Sequence, residues 1–332
     1  MTAMNYNEEN DTIESRTVTF EVAPSQSGSR LDRIAAENLP EVSRSRLKSW
    51  IEDGLVLVNG EVCAKPSKKL LSPDAVIIKV LPLPETLAFR EADVPFECVY
   101  EDRDILIVNK RAGLVVHPAA GHWDDTLLNG LLYRYPELKT LPRAGIVHRL
   151  DKDTTGLMVV ARSPAAQDFL IRELSARRVH RQYWAVVHGC PPELMTIENT
   201  LVRDPRNPLR FEVSQTGAGR YAKTLVKNIV SSKGFSLVAC KLFTGRTHQI
   251  RVHLMSAGFP IAGDPLYKGR TAGLAPGVFP MDRQALHAAR LGFVHPGTLE
   301  PVHWFAVPPE DFLNLASSLQ LPVELDDPDY FA

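Results

Sequence analysis

The densest chemistry in the chain is a polar run between two apolar segments, RAGIVHRLDKDTTGLMVVA at residues 143–161. Ile146 and Val147 lead into His148, Arg149, Asp151, Lys152, Asp153, Thr154 and Thr155, and from Gly156 an apolar stretch returns to the core. A polar loop tied at both ends to buried segments presents reactive groups on a rigid base. Its carboxylates could act as nucleophile or general base; the same residues could also form a charged turn with a local Asp–Lys pair. A second cluster, TGRTHQIRVHL at 244–254, offers Arg246 and Arg251, whose guanidinium groups suit carboxylate or phosphate partners. A helix from about Thr247 to Ala257 would put His248 and His253 on different faces, and no H-E-x-x-H occurs, so no metal site is expected.

Several familiar chemistries have no foothold. The chain has no G-x-x-x-x-G-K-[ST] phosphate loop, no G-x-G-x-x-G after a strand and no G-x-S-x-G elbow. HRLDKD has the wrong order for a kinase catalytic loop, and DFG is absent. Cys63, Cys98, Cys190 and Cys240 are scattered without a C-x-x-C pair, which fits reduced thiols in a cytosol. A glycoside hydrolase or nucleosidase using Asp151 and Asp153 stays as a further alternative, although these carboxylates, two apart, could diverge and no aromatic run that would hold a saccharide accompanies them. What remains is a loop carboxylate with arginines near it.

The elements that must position these residues alternate irregularly. GLMVVA (156–161), HRQYWAVVHG (180–189), AKTLVKNIV (222–230) and FSLVACKLF (235–243) read as strands, and YEDRDILIVNK as a run turning near Asp102. Asp125-Thr126 and Ser163-Pro164 open helices. Mixed elements without βαβ regularity predict an α+β fold around a largely antiparallel sheet, over residues 97–320. Before it, residues 16–80 read as a small separate unit. Leu31, Ile34 and Ala35 share one helix face, Ser43 caps a second helix that turns Leu47, Trp50 and Ile51 inward, and Asn59-Gly60 marks a hairpin. The proline-rich segment 81–96 reads as a linker, 1–15 as a disordered acidic tail and 321–332 as another acidic tail.

Charge is distributed by region. The formal net charge is -1, but residues 1–14 and 309–332 carry ten acids and no Lys or Arg. The body between them holds 38 basic against 29 acidic residues, a suitable partner for a polyanion. Arg44, Arg46 and Lys48 on the second helix, with Lys65, Lys68 and Lys69 after the hairpin, could seat an RNA backbone or simply be a solvated face. No apolar run reaches the ~20 residues of a membrane span, and the acidic start does not read as a targeting peptide. A cytoplasmic protein is expected.

Two resemblances sharpen this reading. SRLDRIAAENLPEVSRSRLKSWIEDGLVLVNGEV resembles the small RNA-binding module named after ribosomal protein S-four, in which the basic second helix faces RNA. GIVHRLDKDTTGLMVVA resembles the signature of the RluA-type RNA pseudouridine synthases, and the chain over 16–315 is similar to their RluD-like branch, which modifies large-subunit ribosomal RNA. VVHPAAG (115–121), RQYWAVV (181–187), AKT (222–224), LFTGRTHQIRVHL (242–254), GDPLYKG (263–269) and DRQALHA (282–288) carry the likeness in order. QTGAGR (215–220) and RTAGLAPGVFPM (270–281) depart from that branch and are expected to be rim loops.

The resemblance implies a pseudouridine synthase domain after the S-four-type domain, with Asp151, Tyr183 and Arg251 as catalytic residues and no cofactor or metal. Arg149 is expected to fill the space left by a nucleotide drawn from its stack, and Arg246, Arg44, Arg46 and Lys48 to contact RNA. His117 and His148 stay outside the catalytic set. Expected partners are ribosomal RNA or the large subunit's precursor, with no membrane or DNA, for a monomer. A tRNA substrate, or a non-catalytic RNA-binding or assembly factor, is the alternative.

Overall fold

The computed structural model describes residues 16–40, 42–80, 88–119, 121–268 and 280–331. The acidic stretch 1–15, the first part of the expected linker and residues 270–279 of the expected rim loop lie outside them. The chain divides into two compact units, Met1–Thr86 and Leu87–Ala332.

In the smaller unit, β1 (Arg16–Glu21), β4 (Ala75–Val80), β2 (Val56–Val58) and β3 (Glu61–Val62) form an antiparallel sheet in that order. Helices α1 (Leu31–Asn38) and α2 (Arg44–Glu52) complete it. Ser43 caps α2 by accepting from the Arg46 N–H, and Leu47, Trp50 and Ile51 are buried with Leu31, Ile34, Val56 and Ile78. Asn59 and Gly60 both have positive φ, as the tight β2–β3 turn requires.

The larger unit is built on one sheet. Its strands are β5 (Glu97–Glu101), β6 (Ile105–Lys110), β7 (Thr155–Ala161), β8 (His180–His188), β9 (Leu194–Arg203), β10 (Phe211–Val213), β11 (Arg220–Ser232), β12 (Phe235–Leu242), β13 (Leu286–Val294) and β14 (Pro301–Phe305). They run in the order β10-β9-β11-β12-β8-β13-β7-β6-β5, with β14 beside β13. Helices α3 (Leu127–Arg134), α4 (Pro164–Ser175), α5 (Gln249–Ser256) and α6 (Glu310–Ser318) accompany it. The α+β, largely antiparallel expectation agrees with this architecture.

One junction departs from the antiparallel pattern and decides where the site lies. Strands β7 and β13 are parallel and pair only at Thr155–His287 and Gly156–Ala288. Gly156 has φ +107°, and a Cβ there would lie 2.2 Å from the Ala288 carbonyl oxygen, so the two strands can touch only at glycine. Beyond this point they part, and β7 needs other partners for its backbone groups. Ile146 bridges Val160, and His148 Nε2 accepts the Val159 N–H at 3.1 Å. The sheet therefore splits into two halves, with the His148–Thr154 loop emerging from the split.

Three stretches differ from expectation. The linker's second half does not stand free: Ala88 is buried, the Asn129 amide donates to Arg90 O, and Val94 and Phe96 pack on the core. The expected acidic tail is also docked as far as residue 331. Gln182 donates to Pro328 O and accepts the Tyr330 N–H, Asp327 and Asp329 pair with Arg290, and the Tyr330 ring lies 6.1 Å from Trp184. Its acids thus neutralise cations of the sheet, which a charge count along the chain could not register. Finally, α5 begins at Gln249 rather than Thr247, because His248 adopts left-handed φ 56° and bonds the Tyr267 hydroxyl.

Candidate active site

The loop from the split carries Asp151, and backbone bonds hold it almost residue by residue. The Thr154 N–H returns to Asp151 O. Lys110, fully buried at the end of β6, donates its ammonium to Lys152 O at 2.7 Å and to Leu114 O and Arg111 O at 2.9 Å. Burial lowers its pKa to about 7, against the pull of Asp153 and Asp151. Arg283 donates to Asp153 O at 3.1 Å while gripping Asp311 of α6 through two 2.7 Å bonds. Gln284 donates to Thr154 Oγ1, and Thr155 Oγ1 bonds His287. The loop backbone is fixed by groups from β6, β13 and the segment before it.

The Asp151 carboxylate is held from the other half of the sheet. Arg251, in the first turn of α5, donates Nη1–H to Asp151 Oδ2 at 3.2 Å. Its remaining fork faces Asp264, with Nε to Oδ2 at 2.7 Å and Nη2 to Oδ1 at 2.9 Å. Asp264 Oδ1 also accepts the Leu266 and Tyr267 N–H groups. Burial works against the charge on Arg251, yet bonding and attraction to Asp264, then Asp151, hold its pKa above the ordinary value. Burial likewise opposes ionisation of Asp264, and Arg251 with the two amides outweighs it, so that carboxyl titrates low. Arg251 is thus a buried cation with two carboxylates, Asp264 fully buried and Asp151 partly exposed.

Tyr183 on β8 is 5% exposed, and its phenol pKa is raised first by burial, with Arg181 opposing and the Asp151 charge adding to it. Tyr267 lies under the Arg251 guanidinium at 5.0 Å, its hydroxyl bonded to His248 Nδ1 and the Phe211 N–H. Asp151 and Arg251, far apart in the chain, are therefore bonded at the split, and the Asp151 charge is felt at Tyr183. Arg149 is exposed two residues before Asp151, and with Arg143 it helps burial hold His117 at a pKa of about 4. Arg246 is exposed in the turn before α5, tied to Tyr221 O. In the other unit, Arg44 pairs with Asp32 at 3.8 Å and Lys48 with Glu52 at 3.7 Å, so two of that helix's cations already have acidic neighbours. Asp264, Lys110 and Arg283 received no role from the sequence, although GDPLYKG and DRQALHA contain two of them.

The site thus holds a partly exposed carboxylate on a buried arginine at the junction of a mixed sheet. Residues 104–256, from the β5–β6 turn through α5, match the model described as RNA pseudouridylate synthase, and residues 29–77 match the S4 domain. The solved structure of human RNA pseudouridylate synthase domain containing 1 aligns at TM-score 0.53 and 27% identity, covering 66% of this chain and 85% of that one. Human RNA pseudouridylate synthase domain containing 4 aligns at 0.55 and 23%, over 68% and 94%, a likeness of fold.

The chain belongs to the RNA pseudouridylate synthase family and is a pseudouridine-forming enzyme. Among its relatives, ribosomal large subunit pseudouridine synthase D of Neisseria meningitidis serogroup B is 47% identical, covering 93% of this chain and 83% of the relative. The protein of that name from Escherichia coli K12 is 41% identical over 92% and 95%.

Proposed function

We propose that this enzyme isomerises uridines of large-subunit ribosomal RNA to pseudouridine, in the cytoplasm, with Asp151 as the catalytic carboxylate and without a cofactor. The observation that carries this reading is the Asp264–Arg251–Asp151 array, whose Asp151 charge is felt at buried Tyr183. The reaction breaks the N1–C1′ bond, turns the base and rejoins it through C5, so atoms and electrons balance within the nucleotide. It needs an ionised carboxylate near the sugar, to attack C1′ or to take a proton from C2′. Arg251 neutralises and aims that carboxylate, and Asp264 keeps Arg251 from swinging away. Tyr183 supplies an aromatic face for the uracil and a hydroxyl that can help proton loss from C5. The target must leave its stack to reach Asp151, and exposed Arg149 is placed to fill the vacancy. The names of the relatives and the basic central body support ribosomal RNA as substrate. Mapping pseudouridine in ribosomal RNA from cells with and without the gene tests the substrate. Large-subunit sites that vanish with the gene are expected, and an unchanged map with losses in tRNA would redirect it.

A further inference from the structure

Arg181, near the start of β8, is 6% exposed. Its Nε is buried without a hydrogen-bond partner, and no hydrogen bond or ion pair reaches its guanidinium among the described residues. The other buried arginines of this unit are neutralised, Arg251 by Asp264 and Asp151, Arg283 by Asp311. Burial lowers the Arg181 pKa, with only the Tyr183 phenol acting the other way. An unpaired buried cation destabilises a fold, so its retention points to an anion that arrives from outside.

The surroundings say where that anion enters. Strand alternation sets Arg181 on the same face of β8 as Tyr183. The guanidinium lies against Gly245, which is exposed in the turn between β12 and α5; a Cβ there would fall 3.0 Å from Arg181 Nη1. His148, on the Asp151 loop, feels the same charge. The charge is felt at Tyr183 and His148, and at Gly245 no side chain stands over the guanidinium.

We propose that Arg181 binds one phosphodiester of the substrate RNA, adjacent to the nucleotide held at Asp151. This rests on the reading that RNA is modified at Asp151. A planar guanidinium fork matches two phosphate oxygens, and a desolvated one binds them more strongly than a surface cation. Gly245 permits the approach.

The test uses an RNA fragment in which the parent enzyme forms pseudouridine, so failure of the functional reading appears before Arg181 is altered. Each phosphodiester flanking the target is replaced singly by a neutral methylphosphonate, and binding is measured for the parent, Arg181→Gln and Arg181→Lys. One linkage should cost the parent about tenfold in Kd, as removal of one charge-assisted hydrogen bond would, and cost Arg181→Gln nothing. Arg181→Gln should also lower the salt dependence by about 0.7 log unit per decade, with no loss of Tm, because the removed charge has no partner to strand. Equal penalties for parent and variant at every linkage would overturn the proposal, as would a large Tm loss with unchanged Kd. If Arg181→Gln does not fold, Arg181→Lys decides. A smaller penalty at that one linkage upholds the fork, and the parent's full pattern overturns it.

Discussion

Asp264→Asn isolates the contribution of the carboxylate behind Arg251. The substitution keeps shape and leaves Oδ1 to accept the Leu266 and Tyr267 amides and the Arg251 Nη2–H. The new Nδ2 would face Arg251 Nε–H across the 2.7 Å now occupied by Oδ2, so two donors oppose each other. Removing one partner of a buried ion pair costs about 3–5 kcal/mol. Asp151 remains as a second anion, so the lower end, about 3 kcal/mol, applies, or a Tm lower by roughly 6–12 °C for a domain of this size. Arg251 would relax toward Asp151 and shift its carboxylate, and a displacement of about 1 Å costs on the order of 10²-fold in rate. Single-turnover pseudouridine formation at saturating enzyme, beside thermal unfolding, reads both quantities. A variant with parental rate and Tm would refute the view that Asp264 anchors the site.

Gly156→Ala should prevent folding or cost more than about 4 kcal/mol, because its Cβ meets the Ala288 backbone at 2.2 Å with φ +107°; a cooperative unfolding transition near the parent's would contradict this. Buried His253 and His287 titrate near 4 in the fold and 6.5 when free, so their contribution to stability is complete above pH 6.5 and is lost as pH falls toward 4. The slope is about 1.4 kcal/mol per pH unit for each histidine; urea unfolding at pH 7, 6 and 5 should show it, His287→Asn should remove one share, and a flat profile would exclude it. In the smaller unit, the combined Arg44→Ala, Arg46→Ala and Lys48→Ala substitutions should weaken RNA binding and flatten its salt dependence by about 0.7–0.9 log unit for each phosphate no longer neutralised. Unchanged affinity and slope would show that the Asp32 and Glu52 pairings leave this face as solvated surface.

Elements with strong local signals were legible in the sequence. Ser43 and Ser163 accept their capping amides, Asn59-Gly60 turns the hairpin, and the four apolar runs quoted from the larger unit are strands. The rest depended on tertiary contacts. β9 and β10 alternate half-buried with exposed residues toward the sheet edge and carry weaker apolar runs. α5 starts two residues late because Tyr267, distant in sequence, holds His248 in a left-handed turn. The 321–331 segment reads as free in the sequence because Gln182 and Arg290, its partners, lie far upstream. At the site, resemblance assigned roles to Asp151, Tyr183 and Arg251, whereas Asp264 and Lys110 emerge only once the fold puts one behind Arg251 and the other under the loop.

The central claim, that Asp151 performs the chemistry, is tested most directly by Asp151→Asn in a single-turnover assay with RNA binding measured alongside. The substitution preserves shape and the Arg251 contact through an amide oxygen while removing the charge needed at the sugar. The account predicts a loss of roughly 10⁴-fold or more in pseudouridine formation, with affinity and Tm close to the parent's. Turnover within about tenfold of the parent, with the variant properly folded, would contradict it.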